Sequence, residues 1–524
     1  MVRSQGKLII LITIAVGILC VRSFQTKETQ ALKSTEEYWQ ETGLKASELE
    51  ELLQPELCHS SERYFLSCAN ALVTLAERFG LQVIPPAQIK ENNNQSLERE
   101  GSEKIQLASW LQFYQDQKTP KTQIQFVALF RELLSRIKNR SHEAFYVGMS
   151  LNGFLSIFKD PHTYLIPMKF YQEVVSQPDG KTFSLGITLG RSQEGFILRK
   201  IQPRSMAEDV GLKRGDRILV VNSKNVESMS LEQVLELLRS ESTAEIQILV
   251  ARNNKKLSFK LKRRVNSNEA IASSLIPGRQ KLGLLTINRF TRQSCEISKK
   301  SIMSLSKLGA RGLLIDLRDN PGGLVEEAAC VASLFLGPKK MFTLKYLDTS
   351  KKDEIFYGEE DKIFDKPVAV LINSGTASSA DLFAGIMKDY NRAVLVGERS
   401  FGKGSFQEGE VWFKNPRIAL FQTQGLFYLP SRLSPQAAGI EPDVVVQSSS
   451  LFHDREEDIF MYPLQADNKN SLLARKKLDL KKCLDNQSNS KQEDPELSWA
   501  QLALSCKSLN ENFKASLYDS DRSF

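Results

Sequence analysis

The sequence predicts a multidomain α+β protein: a mostly helical N-terminal region, an inserted β-rich module and an α/β core. Three observations predict it. At 524 residues the chain is longer than one hydrophobic core can organise. Apolar residues recur at three- and four-residue intervals between 122 and 158, the period of a helix with one buried face. From 282 to 396, four short apolar runs alternate with helical stretches, the order of a sheet buried on both faces. Apolar content of 41% and charged content of 25% are ordinary for a soluble globular protein. Net charge is +8, and no basic run is interleaved with aromatics, which argues for a solvated basic surface and against a nucleic-acid partner.

At the start, Arg3 and Lys7 precede an apolar run from Leu8 to Val21. That run is short for a bilayer span and right for the apolar part of an export signal. Residues 1–23 therefore read as a signal peptide or an N-terminal anchor, with Val21 and Ser23 at the −3 and −1 positions of a cleavage site. Cys20 raises a lipid-attached alternative, but Leu19 is larger than the small residue such a site prefers. A retained segment would tether the chain to a membrane. Residues 31–175 form the helical region, with helices over Thr122–Ile137 and Ser141–Phe158 and a loop from Asn92 to Lys104. The second helix stops at Lys159-Asp-Pro-His-Thr-Tyr164, as expected before a proline.

Residues 180–266 change character. Phe183-Ser-Leu-Gly-Ile-Thr-Leu189 is a glycine turn leading into a strand, and Gly195–Ile201 is a second strand. A short helix over Met206–Val210, a glycine stop, a Gly215-Asp216 turn and a strand to Asn222 follow, then a helix over Ser230–Arg239 and strands near Ile246 and Leu257. This order resembles a PDZ domain. The resemblance implies capture of a peptide C-terminus as an added strand, its carboxylate held in a nest of backbone N–H groups. Ser184, Leu185, Gly186 and Ile187 match the turn that would supply that nest.

Residues 267–445 carry the core. Strands are expected at Leu282–Ile287, Gly312–Leu317, Val368–Ile372 and Ala393–Val396, with helices at Ser294–Leu308, Leu324–Leu336 and Ser379–Lys388. Residues 446–524 are a charged C-terminal extension with helices and a disordered polar loop from Asn486 to Asp494. The seven cysteines suit an oxidising compartment. Cys58 and Cys68 form one local pair, and Cys483 and Cys506 another. Cys295 and Cys330 fall in the core, and Cys330 lies in a small-residue helix (Glu326–Leu334), so it reads as a buried thiol and not a bridge. No spacing suits zinc, there are only four histidines, and no cofactor is expected.

The chemistry concentrates in two segments. Asn373-Ser-Gly-Thr-Ala-Ser-Ser-Ala-Asp381 follows the strand Val368–Ile372 and presents serine in a small-residue turn. Phe401-Gly-Lys-Gly-Ser-Phe-Gln407 sets a lone lysine between glycines, with a glutamine four residues on. A serine hydroxyl needs a base to become nucleophilic, and a lysine dry enough to be neutral can serve. The helix N-terminus after the turn places the Ser379 amide as an oxyanion donor, and Gly322-Gly323 can approach closely with a second. Five ordered segments then resemble the C-terminal processing (tail-specific) proteases over residues 145–445: Asp160-Pro-His-Thr163, the PDZ-like segment, Leu317-Arg-Asp-Asn-Pro-Gly-Gly-Leu324, the serine turn and Phe401–Gln407. The resemblance implies Ser378 as nucleophile, Lys403 as base 25 residues later, Gln407 as the group orienting Lys403, and Asp389 as an aspartate that helps build the site. The turn Thr376-Ala-Ser-Ser-Ala-Asp381 departs from the family pattern, where serine–alanine alternation ends in glutamate and alanine stands at the place of Ser379.

Two competing constellations are weaker. His162 and Asp389 could complete a Ser-His-Asp triad, but the resemblance assigns Asp160-Pro-His-Thr163 to a structural turn. Ser304-Leu-Ser-Lys307 fits the Ser-x-x-Lys of penicillin-recognising enzymes, yet no Ser-Asp-Asn or Lys-Thr-Gly accompanies it. The expected function is an exported serine endopeptidase of the periplasm or cell envelope that takes protein substrates by their C-termini. The alternatives are a non-catalytic PDZ-type scaffold and a Ser-Lys hydrolase acting on peptidoglycan.

Overall fold

The computed structural model describes residues 35–79, 103–116, 120–138, 141–172, 182–192, 195–201, 205–227, 229, 234, 237–238, 245–253, 255–262, 264–266, 270–276, 278, 281–446, 455–456, 460–468 and 494–505. The expected signal or anchor and the Cys483–Cys506 pair lie outside the described residues. Among those residues, no helix is long and apolar enough to cross a membrane.

The N-terminal region is built from α1 (Thr35–Thr42), α2 (Ala46–Leu52), α3 (Pro55–Cys58), α4 (Glu62–Arg78), α5 (Glu103–Asp116), α6 (Pro120–Ile137) and α7 (Glu143–Phe158). Ser61 caps α4 by accepting the Tyr64 N–H at 3.2 Å, and a disulfide between Cys58 and Cys68 joins α3 to α4. The apolar faces close on Phe65, Trp110, Phe113 and Phe154. This layer does not stand apart. Strand β1 (Tyr164–Pro167), followed by the short α8 (Met168–Phe170), leaves it to pair with a strand of the core, and Leu165 and Ile418 belong to the same apolar cluster as the helices.

The β-rich module comprises β2 (Thr182–Ser184), β3 (Ile187–Ser192), β4 (Gly195–Ile201), α9 (Met206–Asp209), β5 (Arg217–Val221), β6 (Lys224–Asn225), β7 (Ile246–Arg252), β8 (Lys255–Leu261) and β9 (Arg264–Asn266). Its main sheet runs β3-β4-β5-β7-β8, with β6 on β5, while β2 and β9 form a separate ribbon. Of the expected 230–239 helix, Val234, Leu237 and Leu238 are described and are helical.

The core begins with β10 (Ile271–Leu275), β11 (Leu282–Ile287), α10 (Ser294–Lys307), β12 (Gly312–Asp316) and α11 (Val325–Leu336). It continues through β13 (Lys340–Tyr346), β14 (Glu354–Tyr357), β15 (Val368–Ile372), α12 (Ser379–Asp389), β16 (Val394–Gly397), β17 (Ser405–Val411), β18 (Ile418–Tyr428) and β19 (Val444–Val445), and α13 (Pro495–Ser505) follows. Six strands in the order β10-β11-β12-β15-β16-β19 form a sheet that is parallel except for β10. A second, antiparallel sheet runs β1-β18-β13-β14, with β17 on β18. Alternation along the parallel strands sends Leu313, Ile315, Val370 and Leu395 to the helices α10, α11 and α12. Leu314, Ala369, Leu371 and Val394 point the other way, where Ala500, Ala503 and Leu504 of α13 cover them. The C-terminal extension thus supplies a layer of the core. Asp494, expected in a disordered loop, is ordered at the start of that layer.

The cysteine reading needs one correction. Cys295 and Cys330 are disulfide-bonded, with Cα atoms 5.7 Å apart, and Cys330 is not a buried free thiol. Helices α10 and α11 lie side by side on one sheet face, and the Cys295 N–H reaches Glu327 Oε2 at 2.8 Å. Helical periodicity shows which way Cys330 points; it does not show that a second thiol faces it from another helix.

If α13 is a layer of the core, Leu504→Ala should cost about 2–5 kcal/mol in chemical unfolding, the usual range for a buried leucine. Loss below about 0.5 kcal/mol, the range of an exposed position, would refute that placement.

Candidate active site

Strand β15 ends at Ile372, and the chain turns sharply before α12 begins at Ser379. Ser378 sits at that turn with φ 59° and ψ −121°, a backbone conformation that costs a non-glycine residue roughly 1–3 kcal/mol. Neighbours hold it there. Ala377 N–H donates to Asn320 O at 2.9 Å, Thr376 Oγ1 donates to Leu317 O at 2.8 Å, and Ser378 N–H donates to Asp381 Oδ2 at 2.7 Å.

Gly322 faces the serine. A Cβ there would lie 2.7 Å from Ser378 Cβ and 3.1 Å from Ser378 Oγ, so only glycine lets the loop pass this close. The Gly322 N–H is engaged with Asn320 Oδ1 at 2.8 Å, and its carbonyl accepts from Phe290 N–H at 3.0 Å. The Gly323 N–H makes no hydrogen bond among the described residues, and Ser379 N–H, at the first helical position, has no partner within its helix. Of the two turn serines, Ser379 is fully buried with its hydroxyl unpartnered, whereas Ser378 is half-buried against the glycine loop.

Lys403 lies on the loop before β17. Its Nζ donates to Gln407 Oε1 at 2.8 Å. The amide of Gln407 is itself oriented, since its Nε2 donates to Ser405 Oγ at 3.1 Å and to Thr423 Oγ1 at 3.2 Å. The Thr423 hydroxyl donates its one hydrogen bond to Asp160 Oδ1 at 2.7 Å, which leaves it able only to accept from Gln407. A run of bonds thus leads from Asp160 through Thr423 and Gln407 to the lysine amine, with Thr163 Oγ1 completing Asp160 at 2.5 Å. The Asp160-Pro-His-Thr163 turn, read from sequence as structural, ends in the lysine's orienting group. Burial lowers the Lys403 pKa below the usual lysine range, opposed by the carboxylates of Glu456, Asp160 and Asp381.

No hydrogen bond joins Ser378 Oγ to Lys403 Nζ among the described residues. The two are joined through Asp381, which sequence reasoning passed over as the end of the serine turn. Its Oδ2 accepts from Ser378 N–H and from Lys403 N–H at 3.1 Å, and its Oδ1 accepts from the Ser400 hydroxyl and from Gly402 N–H at 3.3 Å. Burial pushes its pKa up to about 7, against the pull of Ser400 and the three N–H donors. The signal was present in the sequence, an acid at the third position of a helix whose cap is serine.

Glu456 is a second residue missed. It is fully buried, pairs its Oε2 with His162 Nε2 at 3.1 Å, and takes the Gln436 Nε2 on Oε1. Gln436 Oε1 in turn accepts Gly404 N–H at 2.9 Å, so Glu456 braces the lysine loop. His162 therefore pairs with Glu456 and not with Asp389. Asp389 stands at the far end of α12, about 16 Å along the helix from Ser378, and accepts Ser431 N–H at 2.8 Å. In the β-rich module, Ser184 closes β2, Leu185 is buried, Gly186 takes φ +77°, and Ile187 opens β3. Leu185 O accepts Ala207 N–H at 3.1 Å, which packs this turn against α9.

Comparison with known proteins gives the class of the smaller module first: residues 173–251 match the PDZ domain. Residues 281–446 match peptidase family S41, a match that follows the PDZ match along the chain. Over 302 residues the chain is 26% identical to a probable CtpA-like serine protease of Staphylococcus aureus, a match covering 57% of this chain and 60% of that protein. A probable CtpA-like serine protease of Staphylococcus haemolyticus is 25% identical over 300 residues. The chain thus spans about three fifths of the length of the curated relatives it matches. Among solved structures, the photosystem II D1 C-terminal processing protease aligns at 22% identity with a TM-score of 0.43, covering 62% of this chain and 88% of that one. Mature CPAF complexed with lactacystin aligns at 16% identity with a TM-score of 0.39, covering 72% and 94%.

The raised Asp381 pKa has a stability consequence. Between the ordinary carboxylate range near 4 and about 7, the folded chain keeps a proton that the unfolded chain has released. That contribution is full at low pH and is lost as pH rises through about 7. The stability of the wild type relative to Asp381→Asn, from urea unfolding, should therefore be greater at about pH 5 than at about pH 8. A difference that does not change with pH would contradict the assignment.

Proposed function

We propose that this protein is an exported serine endopeptidase of the tail-specific type, with Ser378 as nucleophile and Lys403 as general base. The observation that carries this reading is the shared acceptor Asp381 Oδ2, which holds the backbones of Ser378 and Lys403 to one atom while the lysine side chain stays buried. The neutral amine of Lys403, held by one N–H on Gln407, takes the Ser378 proton on its lone pair as Oγ attacks the scissile carbonyl. The oxyanion is met by the N–H groups of Ser379 and Gly323 at the α12 N-terminus and the glycine loop. Lys403 then returns the proton to the leaving amine, and water hydrolyses the acyl-enzyme. Gln407 accepts a lysine N–H without adding charge, which keeps the amine oriented and neutral.

The PDZ domain supports substrate selection by C-terminus. Strand β3 is an edge of its sheet, and the Leu185-Gly186 turn stands at the start of that edge, the arrangement that admits an extra peptide strand with its carboxylate at the turn. The apolar Leu8–Val21 run and two disulfides support a location outside the cytoplasm. A second reading rests on the His162–Glu456 pair, a base and its orienting acid. It requires His162 Nδ1 at Ser378, and no such bond is present among the described residues.

Ser378→Ala and Lys403→Ala should each abolish cleavage of an unfolded protein ending in apolar residues. His162→Ala should still cleave, though more slowly because Glu456 loses a partner. The wild-type rate should rise with pH through a lysine pKa set below its usual range, since the neutral amine is the reactive form. A folded Lys403→Ala enzyme at the wild-type rate, beside an inactive His162→Ala, would transfer the base role to the histidine.

Amidating the C-terminal carboxylate of a peptide substrate should raise its KM by roughly 10-fold or more, as expected when a charge-assisted recognition is lost. Identical KM for the acid and the amide would remove C-terminal carboxylate capture.

A further inference from the structure

The loop that faces Ser378 is anchored outside the S41 match. Strand β12 ends at Asp316, and the chain runs through Arg318 and Asn320 to Gly322. Arg318 is almost buried, and each of its five N–H donors meets a carboxylate. Asp316 takes Nε at 3.0 Å and Nη2 at 2.7 Å. Asp494 takes Nη1 at 2.8 Å and Nη2 at 2.9 Å, and Glu496 takes Nη1 at 3.3 Å. Asp494 also accepts Leu497 N–H at 3.0 Å, which fixes it to the start of α13. Glu496 points its other oxygen at Arg214 of the PDZ domain, 3.4 Å away, and Lys200 of strand β4 donates to Arg318 O at 2.7 Å.

What Arg318 holds lies one step from the reacting atoms. Asn320 O accepts the N–H of Ala377, the residue before the nucleophile, and Asn320 Oδ1 accepts Gly322 N–H. A shift of Arg318 therefore moves both the serine turn and the glycine loop.

We propose that Asp494 and Glu496, at the start of α13, are positioning residues for the peptidase reaction, setting through Arg318 the loop that stabilises the tetrahedral intermediate on Ser378. The C-terminal extension is then part of the catalytic apparatus as well as a layer of the fold. Neutralising both acids leaves a buried guanidinium with one carboxylate and N–H groups to re-house, a loss the loop absorbs by moving. Glu496 also meets Arg214 of the PDZ domain, so the plain-peptide arm of the test separates an effect on substrate capture from an effect on the loop. The inference rests on the peptidase reading above.

The test uses the full chain carrying D494N/E496Q, with a peptide substrate, a peptide boronic acid and the matching peptide carboxylate. On the boronic acid, the Ser378 Oγ–B bond forms as the hydroxyl proton passes to Lys403, giving a tetrahedral anion in place of the intermediate. The double variant should lose kcat by about 10-fold or more at nearly constant KM, with boronate affinity falling by a similar factor. Affinity for the plain peptide carboxylate should stay within about 2-fold, because it makes no tetrahedral adduct. E496Q alone, which keeps Asp494 and Asp316 on the guanidinium, should show the same split at smaller size, and it takes over the comparison if the double variant does not fold. A folded variant with unchanged kcat and boronate affinity overturns the proposal, as does equal loss of boronate and plain-peptide affinity. Wild-type protein that neither cleaves peptide nor binds boronate overturns the peptidase reading itself, a result seen before any variant is made.

Discussion

The buried carboxylate of Asp381 is the interaction on which the rest of the site depends. It accepts hydrogen bonds from the serine turn, from Ser400 and from two residues of the lysine loop, and so it fixes two segments far apart in sequence to one point. The arrangement has an electrostatic cost, visible in a pKa raised to about 7. Only its four donors, all in a fixed frame, make a charge at this depth tolerable. The strained φ of Ser378 belongs to the same account, since the strain persists because Asp381, Asn320 and Gly322 leave the turn no room to relax.

The lysine is prepared by a different means. Its loop is buried enough to disfavour the ammonium form, while three carboxylates nearby pull the other way. Orientation comes from a sequence of single-donor choices: Asp160 accepts the Thr423 hydroxyl hydrogen bond, Thr423 can then only accept from Gln407, and Gln407 must turn its oxygen to Lys403. Each bond specifies the next, so a turn near residue 160 decides which way an amide near residue 407 points. The β1–β18 pairing makes this possible by bringing that turn and Thr423 together.

The C-terminal segments serve the site from two directions. Glu456 closes over the lysine loop through Gln436, and α13 covers the second face of the parallel sheet while its first acids reach Arg318. Glu456 and α13 come from beyond the S41 match, and α13 occupies a place that a buried sheet and a buried arginine cannot leave empty.

The sequence by itself determined the four central strands of the parallel sheet, the helix after the serine turn, the glycines beside it and the pairing of a lysine with a glutamine four residues on, but not the antiparallel sheet that carries Gln407 and Thr423. These are local patterns, written in periodicity, in small residues and in short spacings. Tertiary structure alone decided which charges meet. No spacing in the chain announces that Asp160 will reach Gln407 through Thr423, that Glu456 will pair with His162, or that Asp494 and Glu496 will saturate Arg318. The Cys295–Cys330 bond was hidden for the same reason, because each cysteine reads as an apolar helix residue until two helices pack side by side. Periodicity reports the direction a side chain faces. The partner waiting there is set by the order of strands in the sheet and by the long connections that cross it.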